Sequence, residues 1–261
     1  MSAGPGRRIA APRIRDLPSP NHNARPDGAA IDTLVLHYTG MRTAREAIDR
    51  LRDPAPPTGV PVSSHYIIEE DGTVFRLVEE ERRAWHAGVS SWRGRNGLND
   101  CSIGIEIVNP GHEFGYRDFP VLQLATLCDL CLSILSRHPI PARNVVAHSD
   151  IAPERKQDPG ELFDWEGMAV NGVGLWPRDV PDLGTGKAVR DAGSLRSVRA
   201  ALGAIGYRVE AEGGPDAALA SVLRAFQRHW RPEAVTGEAD AGTLARLLAV
   251  ARLCVSSGSG G

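Results

Sequence analysis

The stretch IDTLVLHYTG, residues 31–40, decides the fold and carries the first candidate site residue. It is an apolar, β-branched run that ends at a glycine, which is typical of a buried strand. His37 directly follows the apolar residues Leu34, Val35 and Leu36, so an imidazole stands at the carboxyl end of this strand. Side chains at the carboxyl ends of strands in α/β sheets face the crevice where ligands usually bind.

Around this stretch the pattern predicts further strands that are interleaved with helices. SIGIEIVNPG (102–111) is typical of a strand, and ARNVVAHSDI (142–151) is typical of a strand that runs into a loop. SHYIIEEDGTVFRLV (64–78) predicts a hairpin around an Asp-Gly turn. Apolar spacing predicts helices over 43–53 and 120–138. This order predicts an α/β fold with a mixed central β-sheet flanked by helices.

A small all-α C-terminal domain is predicted behind a Pro- and Gly-rich linker. Three amphipathic segments, 194–207, 216–230 and 243–253, are typical of its helices. The predicted parts are an N-terminal arm at 1–28, a main domain at 29–177, the linker at 178–193, the helical domain at 194–255 and a flexible tail at 256–261.

Charge and hydropathy exclude several classes of partner. The 261 residues include 30 basic and 32 acidic side chains, so the chain lacks the positive field that draws proteins to nucleic acid. No stretch approaches the roughly 20 apolar residues of a membrane span. No apolar signal-peptide core is visible near the N-terminus. We expect a monomer. The sequence leaves two compartments open: the cytoplasm, or the periplasm or cell envelope if the protein is exported by a signal unseen here.

The cysteines do not indicate a metal or redox site. Cys128 and Cys131 form a single CxxC inside the predicted helix 120–138, and no second ligand pair with matching spacing accompanies them. A redox CxxC normally opens a helix, whereas this one lies in the middle. The pattern favours two small apolar residues on a buried helix face.

Two histidines and one aspartate have the spacing of a catalytic metal site. His37 and His148 each end a predicted strand of one sheet, and Asp158 follows His148 by ten residues in KQDPG. Two imidazoles and one carboxylate leave the fourth position of a tetrahedral zinc ion open for water. Each histidine alone is more often structural than a ligand. The spacing alone therefore indicates a hydrolase without naming the bond.

Glu106 is the second signal. In SIGIEIVN, isoleucines alternate with Gly104 and Glu106, and a carboxylate in such a strand is costly to bury unless it is paired or used. Gly104 leaves space on the same face. Glu106 is either an exposed residue on a wet face of the sheet or a general base for a water near the metal.

Together these motifs resemble a known family. SPNHNARPDG, LVLHYTG, SSHYIIEEDGTVFRLV, AWHAGVSSWRGR, SIGIEIVN and VVAHSDIAPERKQDPG match, in order and spacing over roughly residues 20–177, the zinc-type N-acetylmuramoyl-L-alanine amidases. That family includes phage amidase-lysozymes and the animal peptidoglycan recognition proteins. VRAALGAIGY and VLRAFQRHWRPEAVTGEADAGTLARLL resemble the three-helix peptidoglycan-binding domain often joined to such enzymes.

The resemblance implies a role for each candidate. One zinc ion per chain is held by His37, His148 and Asp158. Glu106 matches the glutamate that activates the attacking water, and Lys156 matches a lysine that steadies the oxyanion of the tetrahedral transition state. The bond is the amide between N-acetylmuramic acid and the L-alanine of the stem peptide, in peptidoglycan or in muropeptides.

The resemblance also implies substrate contacts. Trp85 and His86 match a loop that lines the groove, and His65 matches a structural or groove-lining residue. Asn109 is a further candidate for contact with the substrate. Ser64 stands before His65 where phage members carry a catalytic tyrosine, which favours the bacterial branch, where glutamate does this work.

Three alternatives remain at this point. Some relatives bind peptidoglycan without cutting it and have lost a zinc ligand, but here the full ligand set is present. A zinc peptidase would instead cut within the stem peptide. A wall-anchoring protein would function through its tail alone. Under the amidase interpretation, deletion from about residue 190 onward mainly weakens attachment to polymer.

Overall fold

The fold is described from a computed structural model, which covers residues 13–181 and 183–256. The beginning of the predicted arm and residues 257–261 of the predicted tail lie outside the described residues.

Ten strands and eight helices are present in the described part of the chain. The strands are β1 (Ile14–Asp16), β2 (His22–Ala24), β3 (Thr33–Tyr38), β4 (Tyr66–Ile68), β5 (Val74–Arg76), β6 (Arg82–Ala84), β7 (Ser91–Trp92), β8 (Arg95–Asn96), β9 (Ser102–Ile107) and β10 (Val145–Ala147). The helices are α1 (Ala44–Arg52), α2 (Gly111–Phe114), α3 (Val121–Arg137), α4 (His148–Ile151), α5 (Trp165–Val170), α6 (Ala192–Ile205), α7 (Ala217–Trp230) and α8 (Ala241–Ser256). The strands and long helices that the sequence predicts are all among them.

Six strands form the central sheet in the order β1-β5-β4-β9-β3-β10. The β4–β5 hairpin is antiparallel, whereas the other neighbours run parallel. The predicted mixed sheet is therefore confirmed. Because β4, β9, β3 and β10 are parallel, their carboxyl ends lie at one edge of the sheet.

Alternation along the strands divides the core between the two faces of the sheet. Leu34 and Leu36 of β3 pack with the isoleucines of β9 against Leu127 and Leu130 of α3. Val35 points to the opposite face, as side chains alternate along a strand. Helices therefore cover this sheet, which accounts for its almost continuous apolar strands.

The C-terminal helices pack directly on the sheet. Val35 of β3 and Val146 of β10 share one hydrophobic cluster with Leu202, Phe226 and Leu247, which belong to α6, α7 and α8. The helical part begins at Ala192, close to the predicted boundary.

Two segments differ from the sequence-based expectation. The described part of the predicted arm is not a free extension: β1 pairs with β5, and β2 pairs with β6. Arg25 follows β2 and donates to the carbonyl oxygens of Glu80 and Ser102. After β10 the chain forms the short helix α4 in place of the expected loop, and the Asp150 carboxylate accepts a hydrogen bond from the Ala147 amide at 2.8 Å.

Two further expectations concern the helices. None of the helices within 13–181 and 183–256 is both long and apolar enough to cross a membrane. Cys128 and Cys131 lie in the middle of α3, and Cys131 is completely buried. None of the four cysteines, all of which lie within the described residues, takes part in a disulfide.

Candidate metal centre and substrate groove

Strand register brings three candidate side chains to one edge of the sheet. His37 of β3 lies opposite Glu106 of β9, and Leu36 lies opposite Ala147 of β10, so His148 follows at the next position. All three side chains stand where parallel strands end, which is the edge at which α/β sheets bind ligands.

Asp158 completes a compact triangle of donor atoms. Nδ1 of His37 and Nδ1 of His148 lie 2.9 Å apart, and each lies 3.0 Å from Oδ2 of Asp158. All three side chains are buried. The Asp158 loop is held beside the histidines because its carbonyl oxygen accepts a hydrogen bond from the Ser149 amide at 3.0 Å.

The tautomer of His148 follows from its other ring nitrogen. Nε2 lies 3.2 Å from the carbonyl oxygen of Ala87. A guanidinium nitrogen of Arg155 lies 3.3 Å from the same Nε2, but its two hydrogens go to the carbonyl oxygens of Ala87 and Val89. We therefore assign the ring hydrogen of His148 to Nε2, which donates to Ala87, and a lone pair to its Nδ1. Arg155 braces this loop by donating to the carbonyl oxygens of Ala87 and Val89 at 2.5 and 2.7 Å.

A chain of hydrogen bonds fixes the tautomer of His37 in the same sense. The Ser102 hydroxyl donates to the Leu98 carbonyl at 2.5 Å, so its oxygen accepts from Nε2 of His86 at 3.1 Å. Burial lowers the pKa of His86 well below its usual value, so its Nδ1 is unprotonated and accepts from Nε2 of His37 at 3.0 Å. Nδ1 of His37 therefore also presents a lone pair.

Three electron pairs thus converge in a buried space. Burial and the neighbouring His148 lower the pKa of His37 to about 4. Burial would raise the pKa of Asp158, but the two imidazoles hold it well below its usual value. Lone pairs 3 Å apart repel one another unless a cation lies among them. Two imidazoles and a carboxylate suit a divalent metal, and each imidazole has the partner on its far nitrogen that metal-bound histidines usually have.

Gly104 is the sequence feature that makes this arrangement possible. A Cβ atom at this position would lie 2.4 Å from the His86 ring, so only glycine leaves room for it. The space that the sequence predicts beside Glu106 is therefore filled by a side chain from another loop. The motif AWHAG does not reveal this, because the contact depends on how the loop folds back over β9.

Glu106 faces the groove, and one of its carboxylate oxygens makes no hydrogen bond to the described residues. Its side chain is partly buried, and its Oε2 atom has no hydrogen-bond partner among the described residues. Burial and the charge of Asp158 raise the pKa of Glu106 to about 8, and Lys156 acts in the opposite direction. A carboxylate with a pKa near neutrality is well suited to accept and return a proton.

The groove beside the triangle has a volume of about 440 Å³. Its walls include Glu106, Lys156, Trp85 and His86, together with the three triangle residues. Trp85 is partly exposed, and its indole nitrogen donates to Asn23 at 2.9 Å, which sets the ring along the wall.

Two of the expected substrate contacts are placed elsewhere. His65 is completely buried: its Nδ1 accepts from the Gly104 amide at 3.0 Å, and its Nε2 lies 3.1 Å from a guanidinium nitrogen of Arg25. Asn109 is also buried, and its amide donates to the Arg117 carbonyl at 2.7 Å. Both side chains shape the backbone, and neither lines the groove in the described part of the chain.

Comparison with known proteins shows which family this chain matches. The model of the family described as N-acetylmuramoyl-L-alanine amidase matches residues 27–161. N-acetylmuramoyl-L-alanine amidase AmiD of Escherichia coli is 39% identical over 229 residues, which are 82% of this chain and 80% of that protein. The 1,6-anhydro-N-acetylmuramyl-L-alanine amidase AmpD of Citrobacter freundii is 38% identical over 164 residues, 58% of this chain and 86% of that protein.

Solved structures agree over most of the chain. The complex of E. coli AmiD with the substrate anhydro-N-acetylmuramic acid-L-Ala-D-γ-Glu-L-Lys has a TM-score of 0.74 at 35% identity, and covers 88% of this chain and 92% of that one. AmpDH3 of Pseudomonas aeruginosa in complex with anhydromuramic pentapeptide has a TM-score of 0.70 at 37% identity, with 86% and 92% covered. The agreement includes the fold predicted from the sequence.

Proposed function

This chain belongs to the N-acetylmuramoyl-L-alanine amidase family and hydrolyses the amide between N-acetylmuramic acid and L-alanine, and on this premise we propose how its residues perform the reaction. We assign zinc as the metal, with His37, His148 and Asp158 as ligands. The observation that carries the assignment is the convergence of three lone pairs within 3.0 Å in a buried space beside Glu106.

The donor set fits zinc better than the harder cations. Two imidazole nitrogens and one carboxylate oxygen are the ligands of many catalytic zinc sites, whereas magnesium and calcium prefer oxygen donors. A zinc ion held there would supply a Lewis acid, which would polarise the scissile carbonyl and make water acidic enough to attack near neutral pH.

Glu106 is the proton carrier. It lies opposite His37 in the sheet register and faces the groove, so its carboxylate reaches the attacking water. It takes a proton from that water and returns it to the leaving amine of L-alanine. Oε2 needs no rearrangement to do so, since no group of the described protein occupies it.

Lys156 stabilises the developing charge. Its side chain is partly buried and lines the groove two residues before Asp158. A cation at this position offsets the negative charge that grows on the carbonyl oxygen in the transition state. Trp85, which lines the groove beside the triangle, contacts the bound substrate.

Soluble fragments with an anhydromuramoyl end are the proposed substrates. AmpD is named for this group, and AmiD and AmpDH3 have structures with anhydromuramoyl peptides. The C-terminal domain at 194–255 adds contact with polymeric peptidoglycan, as its resemblance to the three-helix binding domain suggests. The linker at 178–193 joins it to the catalytic domain at 29–177.

Mass spectrometry of the products tests the proposal. Zinc-loaded protein is incubated side by side with intact sacculi and with a soluble anhydromuramoyl tripeptide. The proposal predicts free, intact stem peptide from both, with faster release from the soluble fragment. Glu113→Gln, which removes an exposed carboxylate from the same groove, serves as the control and retains this pattern.

Other product patterns identify the alternatives. A sugar that still carries a shortened peptide indicates a peptidase that cuts within the stem. Metal-loaded protein that binds the fragment without releasing peptide indicates a recognition module. Equal rates on polymer and fragment contradict the preference for fragments and leave the amidase assignment intact.

A further inference from the structure

The end of α7 lies against the segment that carries two of the proposed metal ligands. The buried side chain of Asp150, two residues after His148, receives hydrogen bonds from two residues of the C-terminal helical part. The Tyr207 hydroxyl donates to Oδ1 at 2.5 Å, and Nδ1 of His229 donates to Oδ2 at 2.6 Å. The third bond comes from the Ala147 amide, at 2.8 Å to Oδ2.

This aspartate governs the local geometry of His148. Its bond to Ala147 closes the first turn of α4, which begins at His148. The amide of Ser149, which directly follows His148, donates to the carbonyl oxygen of Asp158 at 3.0 Å. A shift of the Asp150 carboxylate would therefore move both proposed ligands, and displacements well below 1 Å matter at a metal site.

The surroundings of His229 make its position rigid. Its ring is stacked between Trp165 and Trp230, with centroid distances of 3.7 and 3.9 Å. All three side chains are buried. Adjacent on α7, Arg228 donates to Gln157 at 3.1 Å, so the same helix end also contacts the residue before Asp158.

We propose that Tyr207 and His229 are positioning residues of the amidase, and that the C-terminal helical part is a structural element of the metal centre as well as a wall-binding domain. The inference rests on the proposed roles of His148 and Asp158. It differs from the expectation that removal of the tail only weakens attachment to polymer. The match to AmpD covers 58% of this chain and 86% of AmpD. The remaining part of AmpD is too short to contain a counterpart of the whole tail. The dependence on the tail is therefore not expected in AmpD, whereas the match to AmiD covers 82% of this chain and extends into the tail.

Substitutions in the full-length protein separate positioning from general stability. Tyr207→Phe and His229→Phe remove one donor each and retain an aromatic ring, singly and together. Tyr66→Phe is the matched control, because this buried tyrosine also donates to a carboxylate, that of Glu80 at 2.7 Å, on another part of the sheet. His229→Asn tests rescue, since its amide retains a donor near the position of Nδ1 while the stacking is lost.

Zinc release to a chelator, kcat and KM on the soluble fragment, and thermal unfolding are measured for each variant. The proposal predicts that the double variant releases zinc about tenfold faster or more, and that kcat falls about tenfold with KM nearly unchanged. Tyr66→Phe lowers only the unfolding temperature. His229→Asn retains zinc better than His229→Phe.

The opposite results overturn the inference. If zinc release and kcat of the Tyr207 and His229 variants match those of Tyr66→Phe, the tail is only a packed neighbour. If a double variant does not fold, the single variants decide by the same criteria. Wild-type protein that retains zinc but releases no stem peptide contradicts the proposed function, while faster zinc release by the variants still supports the positioning role.

Discussion

Two polar clusters on this sheet, each around a buried carboxylate, are built in opposite ways. The metal centre brings together three lone pairs, from His37, His148 and Asp158, without a proton to share among them. The Glu80 cluster lies elsewhere on the sheet: its carboxylate accepts from Tyr66, Arg137 and His138, each at 2.7 Å.

The difference distinguishes a site from a scaffold. In the Glu80 cluster donors and acceptors are matched, so the cluster stabilises the fold by itself. In the metal centre acceptors face one another, and beside it Oε2 of Glu106 has no partner in the described chain. Buried acceptors without donors lower the stability of the fold. Proteins retain them at functional sites, where a bound ligand supplies the missing partner.

The largest difference is expected when one histidine of each cluster is replaced by alanine. His37→Ala removes a ligand, so we expect loss of bound zinc and a fall in turnover of about a thousandfold or more. His138→Ala should retain full zinc and turnover and lower only the unfolding temperature. Zinc analysis by plasma emission and the peptide-release assay check both variants, and zinc retention by His37→Ala would break the comparison.

Glu106→Gln separates the proton carrier from the ligands. It should retain stoichiometric zinc while kcat falls by about a hundredfold or more, because only the proton transfer is removed. Glu113→Gln, in the same groove, controls for the loss of charge. Parallel loss of zinc and turnover would make Glu106 a ligand.

The same substitution should stabilise the metal-free protein at alkaline pH. Burial raises the pKa of Glu106 to about 8, so the folded state binds its proton more tightly than the unfolded state. Its contribution to stability is present at acid pH and is lost as the pH rises from about 4.5 through 8. Above pH 8 we expect Glu106→Gln to be more stable than wild type by about 1–3 kcal/mol in chelator-treated protein, measured by urea unfolding. Parallel curves from pH 5 to 9 would contradict this prediction.

Glu80 should show the opposite pH dependence. Burial would raise its pKa, but Arg137, His138 and Tyr66 lower it to about 2. The stability it contributes is present above about pH 4.5 and is lost as the pH falls towards 2. We expect Glu80→Gln to lose about 1–2 kcal/mol at pH 7 and progressively less in acid, with turnover unchanged. The exposed neighbour Glu79→Gln should match wild type at every pH.

The smallest effect concerns the hydrogen-bond chain behind His37. Ser102→Ala leaves Nε2 of His86 without its acceptor, so we expect zinc to bind about tenfold more weakly. Ser64→Ala is the control, because this buried hydroxyl donates to the Tyr66 carbonyl at 2.9 Å and not to His86. Equal zinc affinities, measured by chelator competition, would show that the chain does not tune the metal centre.

The strand ends and the ligand spacing could be predicted from the sequence because they are local features. An apolar run followed by His37 or His148 places an imidazole at the end of a strand, and the parallel sheet brings such ends together. Glu106 could be identified as a candidate because burying a carboxylate among isoleucines is costly unless the group is paired or has a function.

Long-range contacts could not be predicted in the same way. His86 matched a groove loop, but its ring lies in the space left by Gly104 and bonds His37, which depends on the folding of the loop. The contacts of Tyr207 and His229 with Asp150 span 57 and 79 residues, and no periodicity in the tail reveals them. Amphipathic spacing showed which faces of the tail helices are buried, but not that the sheet would be one of their partners.

Anomalous X-ray scattering at the zinc edge, from crystals of the zinc-loaded protein, locates the metal among its ligands. We expect one peak at about 2.0–2.2 Å from Nδ1 of His37, Nδ1 of His148 and an oxygen of Asp158, with Glu106 outside bonding distance. A peak bonded to Glu106 or to Nε2 of either histidine, or no peak among the three donor atoms, would contradict this expectation.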